Sequence, residues 1–279
     1  MKIGQRFQIS FLLYAVNEYL FPRGVYQLGL AIKRKLSGGW RTTSVSVQIN
    51  DTASQQLRKQ IENMETEQLY DRVVHQKGIH RHVLQEDRVI YGDSSNVEQF
   101  LHEELARALR LAPKDNRKVL EVGCSCGRNL FWLKKHYPGL ILQGADISGD
   151  AIQLGKSLAQ RLSYEVQFVQ LTDHRLPFPD GHFDLAFTKH CMEQCPYTYK
   201  PMIDELIRVT RERIVFLEPM EQLQPVSVRG LFNRLHGFYH NYSRGVYGHL
   251  RRKAQVVEAR PLAWASNPFN QTCLVAVKP

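Results

Sequence analysis

Val119-Leu-Glu-Val-Gly-Cys-Ser-Cys-Gly-Arg-Asn129 decides how this chain reads, because a short apolar run passes into a turn of small residues and then opens a helix. Gly123 and Gly127 allow positive φ and a close approach of backbone to a ligand, which a side chain would block. The helix start beyond them adds unpaired N–H groups and a partial positive charge, suited to an anionic group such as a carboxylate. Asp146 ends the next apolar run, nineteen residues after Gly127. That is near the spacing of about 20 at which an acid following such a turn holds ribose hydroxyls. A carboxylate only accepts, so it can take hydrogen bonds from both hydroxyls of a diol.

Outward from the turn the pattern alternates. Strands are expected over 118–122, 140–145, 166–169, 183–187 and 214–217, with helices running to about 136 and over 150–162 and 199–211. Upstream, a helix starts after Asp93-Ser94-Ser95, repeats Phe100, Leu101, Leu105, Ala108 and Leu109 at helical spacing, and stops at Pro113. The β-branched run 272–277 reads as the last strand. Strand alternating with helix predicts an α/β fold: a Rossmann-like, doubly wound sheet, mostly parallel with an antiparallel last strand. Right-handed crossovers place its ligand loops along one edge. That domain is expected to span 96–279, preceded by a basic, helical extension over 1–95. In the extension, 54–70 reads as a helix and 75–82 as an irregular His-rich stretch.

Composition is that of a soluble globular protein, 43% hydrophobic and 23% charged, without a repeat or a low-complexity tract. Five cysteines, unevenly placed and without a convincing secretory leader, point to reduced thiols and a cytoplasmic setting. The formal charge is +10, and residues 1–48 contribute +6 of it. There, cations are interleaved with Phe7, Phe11, Leu12, Leu13, Tyr14, Leu20 and Phe21. Such a segment suits either an arm packed on its own catalytic domain or peripheral contact with a membrane surface.

The strand–turn–acid logic fits a nicotinamide dinucleotide as well as other nucleoside cofactors. Spacing separates them: a dinucleotide fingerprint needs G-x-G-x-x-G, and no glycine follows Ser125 by three positions. Glu121, at the end of the first strand, is a poor neighbour for a pyrophosphate and a reasonable partner for an α-amino group or for the loop's own amides.

At these positions the chain resembles the class I S-adenosylmethionine-dependent methyltransferases, in particular their ubiquinone-biosynthesis-like small-molecule subgroup. The family's first motif, E/D-x-G-x-G-x-G, maps onto Glu121, Gly123, Ser125 and Gly127; serine replaces the middle glycine, a mild departure if φ stays negative there. The second maps onto Gly144-Ala-Asp-Ile-Ser148, which implies Asp146 as ribose ligand and Ile147 as adenine neighbour. Leu176-Pro-Phe-Pro-Asp-Gly-His-Phe-Asp184 resembles the subgroup's L-P-F-x-D-x-S-F-D run. Phe187-Thr-Lys-His-Cys-Met-Glu-Gln194 resembles its F-S-N-H-V-L-E-H segment. The family's adenine-binding aspartate aligns with Thr172, with Asp173 one residue later, so both are carried as adenine contacts, and Lys189 as a further cofactor contact. The resemblance covers about residues 97–220 and implies S-adenosyl-L-methionine as cofactor.

Methyl transfer is a direct displacement that depends on alignment in a dry site, and a protonated acceptor also needs a nearby base. His190 and Glu193, in the loop after the fourth strand, are the candidate catalytic residues. The expected acceptor is an O or N atom of a small-molecule, glycan or lipid-linked compound. The aromatic and histidine-rich run 232–242 lies where the family inserts substrate-binding elements. The alternatives are an RNA or DNA methyltransferase, or a non-catalytic relative. Against nucleic acid, no N-P-P-Y-type tetrapeptide follows the fourth strand, where Thr188-Lys-His-Cys191 stands. Cys124, Cys126, Cys191 and Cys195 could meet at one sheet edge, but their spacing is not that of a zinc site and a metal would displace the cofactor. No metal is expected.

Overall fold

The computed structural model describes residues 8–10, 43–85 and 88–279, with 8–10 and 43–50 given by their backbone alone. Most of the basic arm over 1–48 therefore lies outside the described residues. In chain order the elements are β1 (Gln8–Ser10), α1 (Thr43–Ile61), α2 (Thr66–Val73), β2 (His80–Gln85), β3 (Arg88–Asp93) and α3 (Ser95–Leu109). They continue as β4 (Lys118–Val122), α4 (Arg128–His136), β5 (Ile141–Asp146), α5 (Gly149–Arg161), β6 (Val166–Gln170), β7 (Phe183–Lys189) and α6 (Tyr199–Val209). The chain closes with β8 (Thr210–Glu218), α7 (Val228–Tyr239), α8 (Val246–Lys253), β9 (Gln255–Pro261), β10 (Trp264–Ala265) and β11 (Cys273–Lys278).

Seven strands form the main sheet in the order β6-β5-β4-β7-β8-β11-β9. Its first five are parallel, and β11 runs antiparallel to both β8 and β9. The antiparallel strand is the one expected from 272–277. Alternate residues of each strand feed two cores. Val119, Leu185, Phe187 and Val215 face α3, α4 and α5, while Leu120, Ala186, Ile214 and Phe216 face α6 and α8. Burial on both sides explains why the central strands read as continuous apolar runs. The order reverses between β4 and β7, so the crevice where an open α/β sheet binds ligands lies at the carboxyl ends of β4, β5 and β7.

Upstream of the main sheet, two elements differ from the sequence expectation. The helix anticipated over 54–70 is two helices, and Arg161 on α5 donates to the carbonyls of Ile61 at 3.1 Å and Met64 at 2.9 Å, satisfying acceptors that the break releases. The stretch expected to be irregular enters the strand β2 at His80. It pairs with β3, from His80 opposite Asp93 to Gln85 opposite Arg88. The hairpin belongs to a second sheet, β1-β3-β2-β10, so residues 80–93 share a sheet with Trp264 and Ala265. Ile61, Leu69, Val73, Val83 and Ile90 join the α3–α5 core. No helix among the described residues is long and apolar enough to cross a membrane.

Candidate functional site

The turn after β4 is held from below by β5, whose Ala145 carbonyl accepts from Gly123 N at 2.8 Å and Cys124 N at 3.2 Å. The backbone then alternates through positive φ at Gly123 (+76°), Ser125 (+48°) and Gly127 (+86°). A Cβ on Gly123 would stand 2.3 Å from Cys191 Sγ, and one on Gly127 would stand 2.6 Å from the Phe168 ring, so both positions are closed to larger residues. Helix α4 starts at Gly127 without a side-chain cap, which leaves its first N–H groups for an anion. The serine replacing the family's middle glycine is not the mild departure it would be at negative φ. It sits in the left-handed region, at a cost of about 1–2 kcal/mol for a non-glycine residue.

Asp146, 6% exposed, holds this turn to the next one: its Oδ2 accepts from Ser125 N at 2.7 Å and its Oδ1 from Ser148 N at 2.9 Å. Each oxygen keeps a lone pair for a hydroxyl. Burial pushes its pKa up against these amide bonds, and Asp51 adds to the rise. Asp51 comes from α1, which crosses the start of α5. It accepts from Ser148 Oγ at 2.5 Å, and Gln55 Nε2 donates to Asp150 Oδ2 at 2.6 Å. Ile147, half-buried, sits between these contacts. Thr172 and Asp173 are both exposed in the loop after β6. Asp173 Oδ1 accepts from Arg175 N at 2.6 Å, so that carboxylate already serves its own turn.

Behind the turn lies a buried polar chain. Asn129 Nδ2 donates to Glu121 Oε1 at 2.5 Å, while its Oδ1 contacts Lys189 Nζ at 3.3 Å and His102 Nε2 at 2.9 Å. Lys189 Nζ also pairs with Glu98 Oε2 at 2.7 Å, and both side chains are nearly buried. Burial opposes the ionised Glu98, but the Lys189 charge prevails and pulls its carboxyl down to about 2. Glu121 goes the other way: fully buried, its carboxyl is pushed up to about 8 by desolvation, with the Asn129 hydrogen bond and the Lys189 charge opposing. Its Oε2 has no partner among the described residues.

The second cluster lies in the loop after β7. His190, itself at φ +54°, meets Glu193 Oε2 through Nδ1 at 3.1 Å and Thr272 Oγ1 through Nε2 at 2.9 Å. Asn270 Nδ2 donates to both Glu193 oxygens, at 3.3 and 3.1 Å. Glu218 at the end of β8 ties the loop down, accepting from Thr188 Oγ1 at 2.8 Å, Cys191 N at 3.0 Å and Glu193 N at 3.3 Å. Burial lowers the His190 pKa, the Glu193 carboxylate raises it, and the balance lies above the ordinary value. His190 and Glu193 are thus brought together, although both imidazole nitrogens are occupied. Among the described residues no cluster of His, Cys, Asp or Glu is placed to hold a metal.

Sequence reasoning missed Asp51, Glu98, Asn129, Glu218, Asn270 and Thr272. Only Asn129 carried a local signal, because it stands in the first turn of the helix that the quoted motif opens, within reach of Glu121.

The sheet order, the positive-φ turn after β4 and the acid at the end of β5 have the arrangement by which open α/β sheets receive nucleoside-type ligands at their carboxyl edge. A methyltransferase-domain family model matches residues 119–213. The demethylmenaquinone methyltransferase of Thermus thermophilus is 30% identical over 159 residues, covering 55% of this chain and 70% of that protein. The probable tocopherol O-methyltransferase of Oryza sativa is 29% identical over 174 residues, 57% of this chain and 48% of that one. In fold, the chain is similar to geranyl diphosphate C-methyltransferase of Streptomyces coelicolor, whose structure contains S-adenosyl-L-homocysteine. That similarity has a TM-score of 0.52 and 13% identity, covering 67% of this chain and 80% of that one.

This chain belongs to the class I S-adenosylmethionine-dependent methyltransferases of the ubiquinone- and menaquinone-biosynthesis-like kind. It is an enzyme, and S-adenosylmethionine is its cofactor. The site fits that molecule: the uncapped start of α4 suits a carboxylate, the unpartnered Glu121 Oε2 suits an ammonium, and Asp146 suits a ribose diol.

Proposed function

We propose that the chain methylates an O or N atom of a small-molecule, glycan or lipid-linked acceptor. The observation that carries this reading is the His190–Glu193 pair at the carboxyl ends of β7 and β8, beside the turn at Gly123. Glu121 receives the α-ammonium, Asp146 the ribose hydroxyls, Ile147 flanks the adenine, and Thr172 and Asp173 edge it. Gly123, Ser125 and Gly127 keep the backbone close. Lys189 is tied to Glu98 and Asn129, so it acts as a positioning residue that orients Asn129 against Glu121.

When bound, S-adenosylmethionine supplies a methyl group on a positively charged sulfur, which becomes a neutral thioether as the S–C bond breaks and the acceptor's O–C or N–C bond forms. The acceptor's proton passes to Nε2 of neutral His190, where the acceptor takes the place of the Thr272 hydroxyl, and Glu193 at Nδ1 stabilises the resulting imidazolium. Asn270 fixes Glu193, and Thr272 holds the ring until the acceptor binds. The test is release of S-adenosylhomocysteine on adding fractionated cell extract. His190→Gln should retain S-adenosylhomocysteine binding while turnover falls by about 10²-fold or more. Unchanged turnover would remove His190 from the chemistry.

A further inference from the structure

Helix α7 turns its polar side inward. Its buried residues are Gly230, Asn233 and His236. Asn233 Nδ2 donates to Gln224 Oε1 at 2.8 Å, and the His236 ring stacks on Phe269 with centroids 6.2 Å apart. A surface helix of a globular domain ordinarily buries an apolar stripe and shows a polar one to water. Here Val228, Leu231 and Leu235, at helical spacing on the opposite side, join none of the hydrophobic cores of the described residues. Val228 and Leu231 are 52% and 51% exposed, and Val226, just before the helix, is fully exposed. Three large apolar side chains in water within six residues mark a contact surface rather than a scatter of single exposed residues.

Charge says what that surface meets. Between Glu221 and Glu258 the chain has no Asp or Glu, against Arg229, Arg234, Arg244, Arg251, Arg252 and Lys253. Glu221 lies 3.4 Å from Arg244 Nε and Asp204 3.3 Å from Lys253 Nζ, whereas Arg234, Arg251 and Arg252 meet no carboxylate among the described residues. The Arg244 guanidinium stands 5.4 Å from the centre of the Phe238 ring, beside the last turn of α7. A second copy of the chain on the same stripe would bring these cations together, while a surface of anionic headgroups neutralises them. The segment after α7 is also fastened to the loop after β7: Ser243 N donates to the Glu193 carbonyl at 2.9 Å and Ser243 Oγ to the Met192 carbonyl at 2.6 Å.

We propose that α7 docks on an anionic lipid surface, with Val226, Val228 and Leu231 entering the interface and the cations of the same stretch meeting lipid phosphates. The helix then lies in the plane of the membrane surface and brings the loop that carries His190 and Glu193 to it. Docking in this way selects the lipid-linked class among the acceptors named above. That selection rests on the methyltransferase reading; the docking face itself does not.

The experiment is co-sedimentation of the full chain with vesicles of phosphatidylcholine alone or of an equimolar mixture of phosphatidylcholine and phosphatidylglycerol. The mixed vesicles should bind the chain more tightly, and added salt should weaken that binding. Replacing both exposed residues of the stripe, Val228→Ser with Leu231→Ser, should lower the affinity at least about tenfold, while Arg234→Ala and Arg244→Ala should each lower it about fivefold. S-adenosylhomocysteine affinity, measured on the same preparations, should be equal in all of them and shows that each variant is folded. In a Leu231→Trp chain the emission should shift to the blue on mixed vesicles. No binding to mixed vesicles at low salt overturns the proposal. So does binding that the double serine variant keeps in full, which would assign membrane contact to another segment such as the basic run 1–48. A dimer in solution that the double serine variant dissociates, without vesicle binding, would give the face to a second copy and overturn it as well. A chain that binds mixed vesicles through α7 but takes no S-adenosylhomocysteine would keep the docking face and lose the acceptor assignment.

Discussion

Ser148 Oγ donates to Asp51 Oδ1 at 2.5 Å while the same oxygen accepts from Ala151 N at 3.0 Å. One hydroxyl thus caps α5 and fastens α1 to the edge of the site, ninety-seven residues away in sequence. Asp51→Ala should weaken S-adenosylhomocysteine binding about fivefold, the effect of losing one partly exposed hydrogen bond to a charged group. Asp51→Asn keeps an acceptor and should recover most of the loss. Calorimetric titration of the two variants checks this, and equal affinity in both would show that α1 does not order the site.

Glu121 predicts a proton count. Its folded pKa of about 8 lies above its ordinary value, so it is largely protonated in the free enzyme near neutral pH. An ammonium against Oε2 favours the ionised form, and cofactor binding should therefore release about one proton at about pH 7. Binding enthalpies measured in buffers of different ionisation heat report that number, and Glu121→Gln should abolish it. The raised pKa also means that this group's contribution to stability is full below the unfolded value and is lost as pH rises through about 8. Glu121→Gln should therefore raise the alkaline melting temperature by a few degrees while weakening the cofactor.

For His190 the sign runs through protonation of a base. Its pKa lies above the ordinary 6.5, so kcat/KM should climb with pH along a limb whose midpoint exceeds that value. His190→Gln should flatten the limb. The His190–Glu193 pair stabilises the fold fully below 6.5, and that contribution fades as pH rises through the folded value. A rate profile with a midpoint below 6.5 would contradict the assigned environment.

Ser125 invites the simplest substitution. At φ +48° it carries left-handed strain that glycine would not, so Ser125→Gly should stabilise the chain by about 1 kcal/mol, less the entropy glycine adds to the unfolded state. Scanning calorimetry should find the melting temperature up by about 2–4 °C.

Much of the main sheet was legible because its strands are buried on both faces and stand out as apolar runs between helices. Leu120 and Val122 on β4, or Phe183 and Leu185 on β7, carry that signal. The hairpin at 80–93 was not, since His80, Arg81 and His82 present polar side chains and only Val83 and Leu84 of β2 are buried. The edge strand β9 was missed for a related reason: none of its residues is fully buried, so its alternation is faint. In the site, Glu121, Gly123, Ser125 and Gly127 are contiguous and Asp146 follows at a fixed spacing, so one motif reveals them. Asn270 and Thr272 reach His190 and Glu193 only because β11 lies beside β8, a pairing that local sequence does not encode.

The pairing of β2 with β10 also orders events in time. At roughly 5–20 residues per second on the ribosome, the hairpin ending at Asp93 emerges many seconds before Trp264 and Ala265 are synthesised. Until then the edge of β2 that later pairs with β10 is bare, an unpaired template for any extended chain nearby. Nascent chains stalled before Trp264 should thus be the aggregation-prone species, and a chaperone that shields strand edges should matter most during that interval.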